Sequence, residues 1–486
     1  MESKIGESIS RTLGNAYFFL ILVFSLCLAK GIITVQTGII PFSLILAILC
    51  FLYSFLLTWD QNTFDRFFFQ LSGIAVLIRL ILCFCDPLWE DDWARYLWEG
   101  QLVHLGISPY IHPPNFYFNS DAEIFSNASA ISILSKINHP DWTTIYFPLN
   151  LLYFSFISSI VPYSLLLLKL SYIALDCLIV YFIQSLNGRK SAILYFFFPI
   201  LIREVYINAH FEIICIFLIV LSYYKLVKNQ YFLAFFSLGL TIHSKIYFIL
   251  FLPIFLIQSV KVFNFKNLTS YRNLLKYSCF SFVGFLFPFF ILEIFIPNNH
   301  SFDFSNILLF SSDFEFNSTI FLFVHKTFGK VTARFVSLLI LVYFIFSSFL
   351  NYKIIAKNHK RILQWMFSVF LLFLLLTPVS NPWYFLVLCP IYFLTRNETK
   401  DSLWLIILIP QLAYLTFTNL HIPALSEPTR GFYDLPFVVI LLEFLGFIYI
   451  LKINSKKISI LLYILSNIVN SCKYLRLPYG RARKPK

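Results

Sequence analysis

The chain has 486 residues, of which 59% are hydrophobic and only 13% charged, too little polar surface for a soluble domain. Its formal net charge of +13 does not mark a nucleic-acid-binding protein, because Lys and Arg cluster in short loops between apolar runs and form no binding stripe. The nine cysteines lie mostly inside apolar runs (Cys27, Cys50, Cys177, Cys215, Cys279, Cys389), and Cys83 and Cys85 lack companion ligands, so neither a disulfide framework nor a metal site is implied.

Lys4 and Arg11 precede an apolar stretch from about residue 16 with no small-residue cleavage site after it, which reads as an uncleaved first span. Spans are predicted near 16–35, 38–58 and 67–85. A polar stretch, 86–145, follows with eight acidic residues, only Arg95 and Lys136 as basic ones, and four of the eight Trp. Further apolar segments are predicted near 146–161, 163–185, 191–207, 209–225, 231–242, 246–258, 276–297, 318–328, 334–355, 361–378, 381–395, 401–419 and 434–452. The pattern is that of an all-α membrane protein of twelve to fourteen spans, forming a single domain over 1–486 with a large first outer loop.

Loop charge orients these segments. The basic loops at Gly188–Lys190, Lys225–Lys228, Lys261–Lys276, Asn351–Arg361 and Arg396–Lys400, with the tail 453–486, are placed in the cytosol. The acidic or neutral loops 86–145, 298–317, 377–382 and 420–433 are placed outside. Segments 146–161 and 318–328 are then interfacial or re-entrant, and 231–242 with 246–258 form a hairpin whose turn, Ile242–Ile246, points outward. The polar clusters consequently gather on one face of the membrane.

The densest cluster is Glu90, Asp91, Asp92, Trp93, Ala94, Arg95, Tyr96, Leu97, Trp98, Glu99 and Gly100. On a helix, Asp92, Arg95 and Glu99 share one face, while Asp91 shares another with Ala94 and Trp98. An ionised carboxylate at the membrane surface can accept a proton from a sugar hydroxyl, and Arg95 is expected to keep Asp92 ionised. The plainer reading of the same residues is an amphipathic interfacial helix with Trp anchors.

The run DDWARYLWEG followed by GISPY (Gly106–Tyr110) resembles the first outer loop of bacterial mannosyltransferase-like enzymes of the GT-C superfamily. INHPDWTTIYFPL (Ile137–Leu149) is similar to a second motif of that family, with Phe147 where the family has Pro. REVYINAHFE (Arg203–Glu212) resembles a third, with Ala209 and Glu212 in place of Gly and Asp. LTIHSKIYFILFLP (Leu240–Pro253), FEFNSTIFLFVHKTFG (Phe314–Gly329) and SNPWYFLVLCP (Ser380–Pro390) resemble later ones, so the likeness spans roughly 60–395. It implies a GT-C type helical bundle that moves a sugar, mannose by analogy, from a polyprenyl-phosphate carrier to a glycan or glycolipid acceptor on the non-cytosolic face. It also implies inversion, with an Asp of the first outer loop as general base. By position Asp92 is the first choice and Asp91 the second.

The remaining candidates rest on chemistry and position. Lys245 lies at the outward turn and needs an anionic partner, here the carrier phosphate, unless it snorkels to the interface. Arg203 can bind phosphate in a fork or pair with Glu204. Arg95 and Glu99 belong to the polar stripe of the outer loop. His139 can hydrogen-bond an acceptor sugar or cap a turn. His210 and Glu212, two apart on a helix, do not share a face and can flank a pocket only from its edges. Trp383 and Tyr384 read as interface anchors ahead of a sugar platform. There is no HExxH, P-loop or GxGxxG, so no metal or cofactor is expected.

The partners expected are therefore the lipid-linked sugar, its acceptor and membrane lipid. The competing class is a transporter or flippase of lipid-linked sugars, which needs polar groups reachable from both sides and, commonly, repeat symmetry; a membrane acyltransferase using a buried His is a further alternative. The membrane expected is a bacterial inner membrane, the endoplasmic reticulum being the alternative on account of the basic RARKPK tail. The topology is tested by cysteine accessibility: Lys473→Cys should be modified only from the cytosolic side, and labelling only from outside reverses the assignment.

Overall fold

The computed structural model describes residues 2–118, 125, 127–259, 268–296, 303–350, 359–395, 402–422 and 435–454. The basic tail beyond Asn454, most of the loop 420–433, residues 261–267 and 351–358 of two basic loops and all of the basic loop 396–400 lie outside the described residues. Within them the chain is helical throughout, and the only strand-like pairing is an isolated bridge between Phe316 and Val379.

Six helices are long and apolar enough to cross a membrane: Gly6–Ala29, Ile39–Leu56, Leu165–Phe196, Thr269–Phe295, Lys330–Ser347 and His359–Leu376. Six more apolar helical stretches are shorter: Phe68–Leu82, Pro148–Ile160, Tyr231–Ser244, Ile246–Ser259, Pro382–Thr395 and Leu405–Tyr414. An all-α integral membrane protein is therefore the observed class. Among the described residues six helices reach full crossing length, and many of the other apolar runs expected as spans are split by turns into shorter pieces. Gly188, at φ 85°, breaks the segment Leu165–Phe196 where the sequence placed a basic loop. The run expected as one span over 191–207 ends its α-helix at Phe196, restarts after Phe198 as Pro199–Ile202, and widens into a π turn over Arg203–Ile207. Ala209, at φ 63°, then turns the chain into the helix Glu212–Val227.

These breaks are functional in their consequence, because a helix that stops inside the bundle leaves polar side chains at its end. Ser244 ends the helix Tyr231–Ser244, and Lys245 turns away in an extended conformation (φ −148°, ψ 115°) before a 3₁₀ stretch over Ile246–Phe251. Asn150 holds this turn, its amide donating to the Ser244 carbonyl (3.0 Å) while its own oxygen accepts from the Ser244 hydroxyl (2.7 Å).

Close helix packing sets the frame. A Cβ on Gly239 would meet the Ser281 carbonyl oxygen at 2.0 Å, and one on Gly284 would meet that of Phe236 at 2.1 Å. Helices Tyr231–Ser244 and Leu268–Phe295 thus touch backbone to backbone, as small residues permit within membranes. A second tie is the fully buried pair of Arg79 and Asp176 (2.7 Å), to which Tyr206 adds a hydroxyl (3.0 Å) and Arg79 a bond to the Phe196 carbonyl (2.7 Å).

Gly239→Ala and Gly284→Ala should each destabilise the detergent-solubilised protein by about 1–3 kcal/mol, since backbone atoms cannot rotate aside. Thermal unfolding should show lowered midpoints for both. Gly73→Ala, whose Cβ meets nothing within 4 Å, should leave the midpoint unchanged or raise it.

Candidate active site

The outer-loop helix begins at Asp92 and runs to His104. Asp91 precedes it as the N-cap residue, with non-helical backbone (φ −126°, ψ −4°) and no side-chain capping bond. Asp91 therefore does not follow the helical face of Ala94 and Trp98 expected of it. Both Asp91 and Asp92, with Glu90 and Trp89, line a cavity of about 390 Å³.

Arg95 builds the facing wall. Its guanidinium donates to the carbonyls of Asn138 (2.8 Å), His139 (2.7 Å) and Trp142 (3.1 Å) and to the Glu99 carboxylate (3.1 Å). Glu99, 1% exposed, accepts from Thr144 as well, so it braces the loop from behind the cavity. The helix and the INHPDW segment are thereby clamped together, and His139 takes up a left-handed conformation (φ 48°) stacked on Trp142 at 5.0 Å between ring centroids. Arg95 makes its ion pair with Glu99, four residues on, and not with Asp92. The expectation that it holds Asp92 ionised is corrected accordingly. Burial, with Asp91 and Glu212 nearby, pushes the Asp92 carboxyl up to about 7 against the pull of Arg95 and Lys245. Burial also raises Asp91, opposed by a hydrogen bond from Asn138 and by the charges of His139 and Arg95.

The third side of the cavity comes from the interrupted helices. Lys245 lines it and forms an ion pair with Glu212, the first residue of the helix Glu212–Val227. The ammonium also lies 4.3 Å from the Tyr384 ring centroid and 4.7 Å from that of Phe211. Glu212 holds this lysine and is itself 1% exposed. Trp383 and Tyr384 lie on the cavity wall, half-buried, which corrects their reading as interface anchors. The 3₁₀ turn Pro382–Val387 re-enters the bundle and turns both rings inward.

His210 stacks on Trp383 (4.0 Å between centroids, 21° between planes) from behind. It sits in the turn before the helix, not on it, so the spacing argument that separated His210 from Glu212 does not apply. Arg203 is 1% exposed and also lies behind the wall. It bonds Gln411, stacks on Tyr414 (3.7 Å) and approaches Glu204 at 4.0 Å. The structure thus brings Asp91, Asp92, Arg95, His139, Lys245, Trp383 and Tyr384 around one cavity, and places Glu99, Arg203, His210 and Glu212 as its supports.

Among the lining residues not singled out as site candidates from the sequence are Glu90, Asn138, Asn381 and Tyr414. Glu90 and Asn138 adjoin motif residues and were within reach. Tyr414 lies in an apolar run with no motif around it, and only the fold brings it here. Among the described residues no group of three or more His, Cys, Asp or Glu is disposed to hold a metal ion. No family model, curated protein or solved structure matches the chain.

The raised Asp92 pKa carries a pH signature. A carboxyl raised from its unfolded value of about 4 contributes stability that is present below that pH and lost as pH climbs through the folded value. Asp92→Asn removes the loss. The melting point of the variant minus that of the parent should therefore grow between about pH 4 and 7 and level off above. A difference that shrinks over this range overturns the assignment.

Proposed function

We propose that this chain is a membrane-embedded glycosyltransferase of GT-C type, transferring a hexose from a polyprenyl-phosphate carrier to an acceptor hydroxyl on the non-cytosolic face. The observation that carries this reading is the pairing, across one aromatic-walled cavity, of two half-buried aspartates with a lysine at a helix break. The motif resemblance supplies the sugar, mannose, and the carrier.

In this reading the Asp92 carboxylate takes the proton of the acceptor hydroxyl as its oxygen attacks the anomeric carbon. The bond from that carbon to the phosphate oxygen breaks, the electron pair leaves with polyprenyl phosphate, and the configuration inverts. A base with a pKa near the working pH combines adequate ionisation with adequate driving force for proton transfer. Lys245 offers the leaving phosphate an ammonium already oriented by Glu212, and the aromatic walls suit the apolar faces of a sugar ring. Asp92 is preferred over Asp91 because it feels the charges of Lys245 and Glu212, the side on which the phosphate would sit. Asp91 lies instead toward the side of Asn138 and His139. A transporter of lipid-linked sugars would release no free carrier, which separates the two classes.

The deciding experiment incubates purified protein and an acceptor with labelled polyprenyl-phosphate mannose or glucose and measures free polyprenyl phosphate. Asp92→Asn should lose about 10²–10⁴ in rate while keeping donor affinity; Asp91→Asn should keep most activity. If both variants remain active, the mechanism is wrong. In a binding assay, Lys245→Met should weaken the donor, whereas Arg203→Met should lower the melting point and leave donor affinity unchanged. Loss of donor affinity in Arg203→Met alone would move the phosphate site to Arg203.

A further inference from the structure

The helix Phe68–Leu82 leads at its C-terminus toward the carboxylates Glu90–Asp92, and Arg66 precedes its N-terminus. At the Arg66 end lies a second cavity, of about 730 Å³, which shares no lining residue with the first. Its size is within the range of ligand pockets. The basic loop Gly188–Lys190 is stitched to the same end, Arg189 donating to the Asp65 carbonyl (3.1 Å) and Lys190 to that of Trp59. The distribution of basic loops therefore puts this cavity at the cytosolic leaflet.

Its lining grades from polar to apolar. Arg11, Asn15, Asn62, Arg66 and Gln70 are exposed and form the rim, whereas Phe18, Trp59 and Ile74 are half-buried and Leu71 is buried. The floor is firmly built. Trp59 donates to the Ser10 carbonyl (3.3 Å), packs edge-on against Phe18 (5.9 Å between centroids) and lies on Gly14, where a Cβ would meet its ring at 2.5 Å. Just beyond the rim the surface turns apolar, with Phe19 67% and Phe69 76% exposed. This change of character marks the depth of the lipid head groups, where Trp is favoured.

The acids near the cavity are engaged. Glu7 and Asp60 face Arg11 at 2.8 and 3.8 Å, Asp60 also accepts from the Thr63 amide (2.7 Å) and hydroxyl (2.8 Å), and Asp65 accepts from Gln61 (3.0 Å). Arg66 makes no ion pair or hydrogen bond among the described residues, and its guanidinium lies 5.2 Å from the Phe67 ring centroid. Its five N–H donors are open. A guanidinium so placed selects an oxyanion that offers two oxygens side by side. A phospholipid at this depth supplies those oxygens and, in its acyl chain, an occupant for the apolar end. Asp60, already held by Arg11 and Thr63, is poorly disposed to receive the ammonium of a zwitterionic head group.

We propose that this cavity binds an anionic glycerophospholipid of the cytosolic leaflet, its phosphodiester held by Arg66 with Arg11 beside it and one acyl chain running over Phe18, Leu71 and Ile74. The lipid ties the first span, Gly6–Ala29, to the helix Phe68–Leu82, since both contribute to the cavity wall. The site is independent of the reaction proposed above.

Thermal unfolding of the full-length chain in detergent tests it. Added phosphatidylglycerol should raise the melting point in a saturable way, and phosphatidylcholine should not. Arg66→Gln should raise the half-saturating concentration about tenfold, as the loss of one charge-assisted contact implies. Ile74→Trp, which fills the apolar end, should likewise weaken the response. Lys228→Gln, at an exposed basic position of another loop, should leave it unchanged. Equal shifts with the two lipids overturn the proposal, as does an unchanged response in whichever of Arg66→Gln and Ile74→Trp folds. Equal weakening in Arg66→Gln and Lys228→Gln leaves only diffuse attraction and also overturns it. A shift reproduced by inorganic phosphate at the same concentration makes the ligand a free anion and rejects the lipid.

Discussion

The ammonium of Lys245 sits inside an apolar bundle because Glu212 meets it there. A lone cation in such surroundings is disfavoured by several kcal/mol, and a carboxylate in contact removes most of that penalty. The pair joins the end of one interrupted helix to the beginning of another, so its formation requires both breaks. Asn150, bonded twice to Ser244, holds the lysine's turn, and Tyr384 closes over the ammonium from a re-entrant turn more than a hundred residues on. The shape of the cavity follows from where these helices stop.

The same constraint recurs around the site. Arg95 is neutralised by Glu99 and by three loop carbonyls, and Arg203 by Glu204, Gln411 and the face of Tyr414. Each cation is thereby converted from a ligand-binding group into a brace. What remains facing the cavity is Lys245 and the carboxyl-rich segment Glu90–Asp92, of which Asp92 feels the charges of Lys245 and Glu212. Adjacent groups of one chemical type acquire different proton affinities in this way, and such divergence separates roles in a site.

The all-α membrane class, the first two spans, the outer-loop helix and the break between helices at Lys245 were legible from hydrophobic run lengths and polar interruptions. Segments 163–185 and 191–207 were legible as separate elements because Gly188 lies between them, and Gly188 does break the helix there. The π turn at Arg203–Ile207 was not legible, since its residues read as ordinary apolar helix, and the register of Arg203, Glu204 and His210 depends on it. Helical spacing also misplaced Asp91, because the helix starts one residue later and the facing rule holds only within it.

By itself the sequence determined that nearly every segment must satisfy its backbone internally, because a chain this apolar has too little polar surface to remain in water. It also determined which residues carry charge and that they lie at segment ends. Only the tertiary structure decided which charges meet. Arg95 could have paired with Asp92 or Glu99 on the same helix face; the Asn138, His139 and Trp142 carbonyls draw it to the Glu99 side. Trp383 and Tyr384 could have faced lipid, and the 3₁₀ turn directs them into the cavity. Tyr414 could have been any buried aromatic, yet it bonds Glu204 and Asn208 because two segments more than two hundred residues apart pack together there. Pairing energies depend on distance and on exclusion of water, and both quantities come into existence only when the helices have packed.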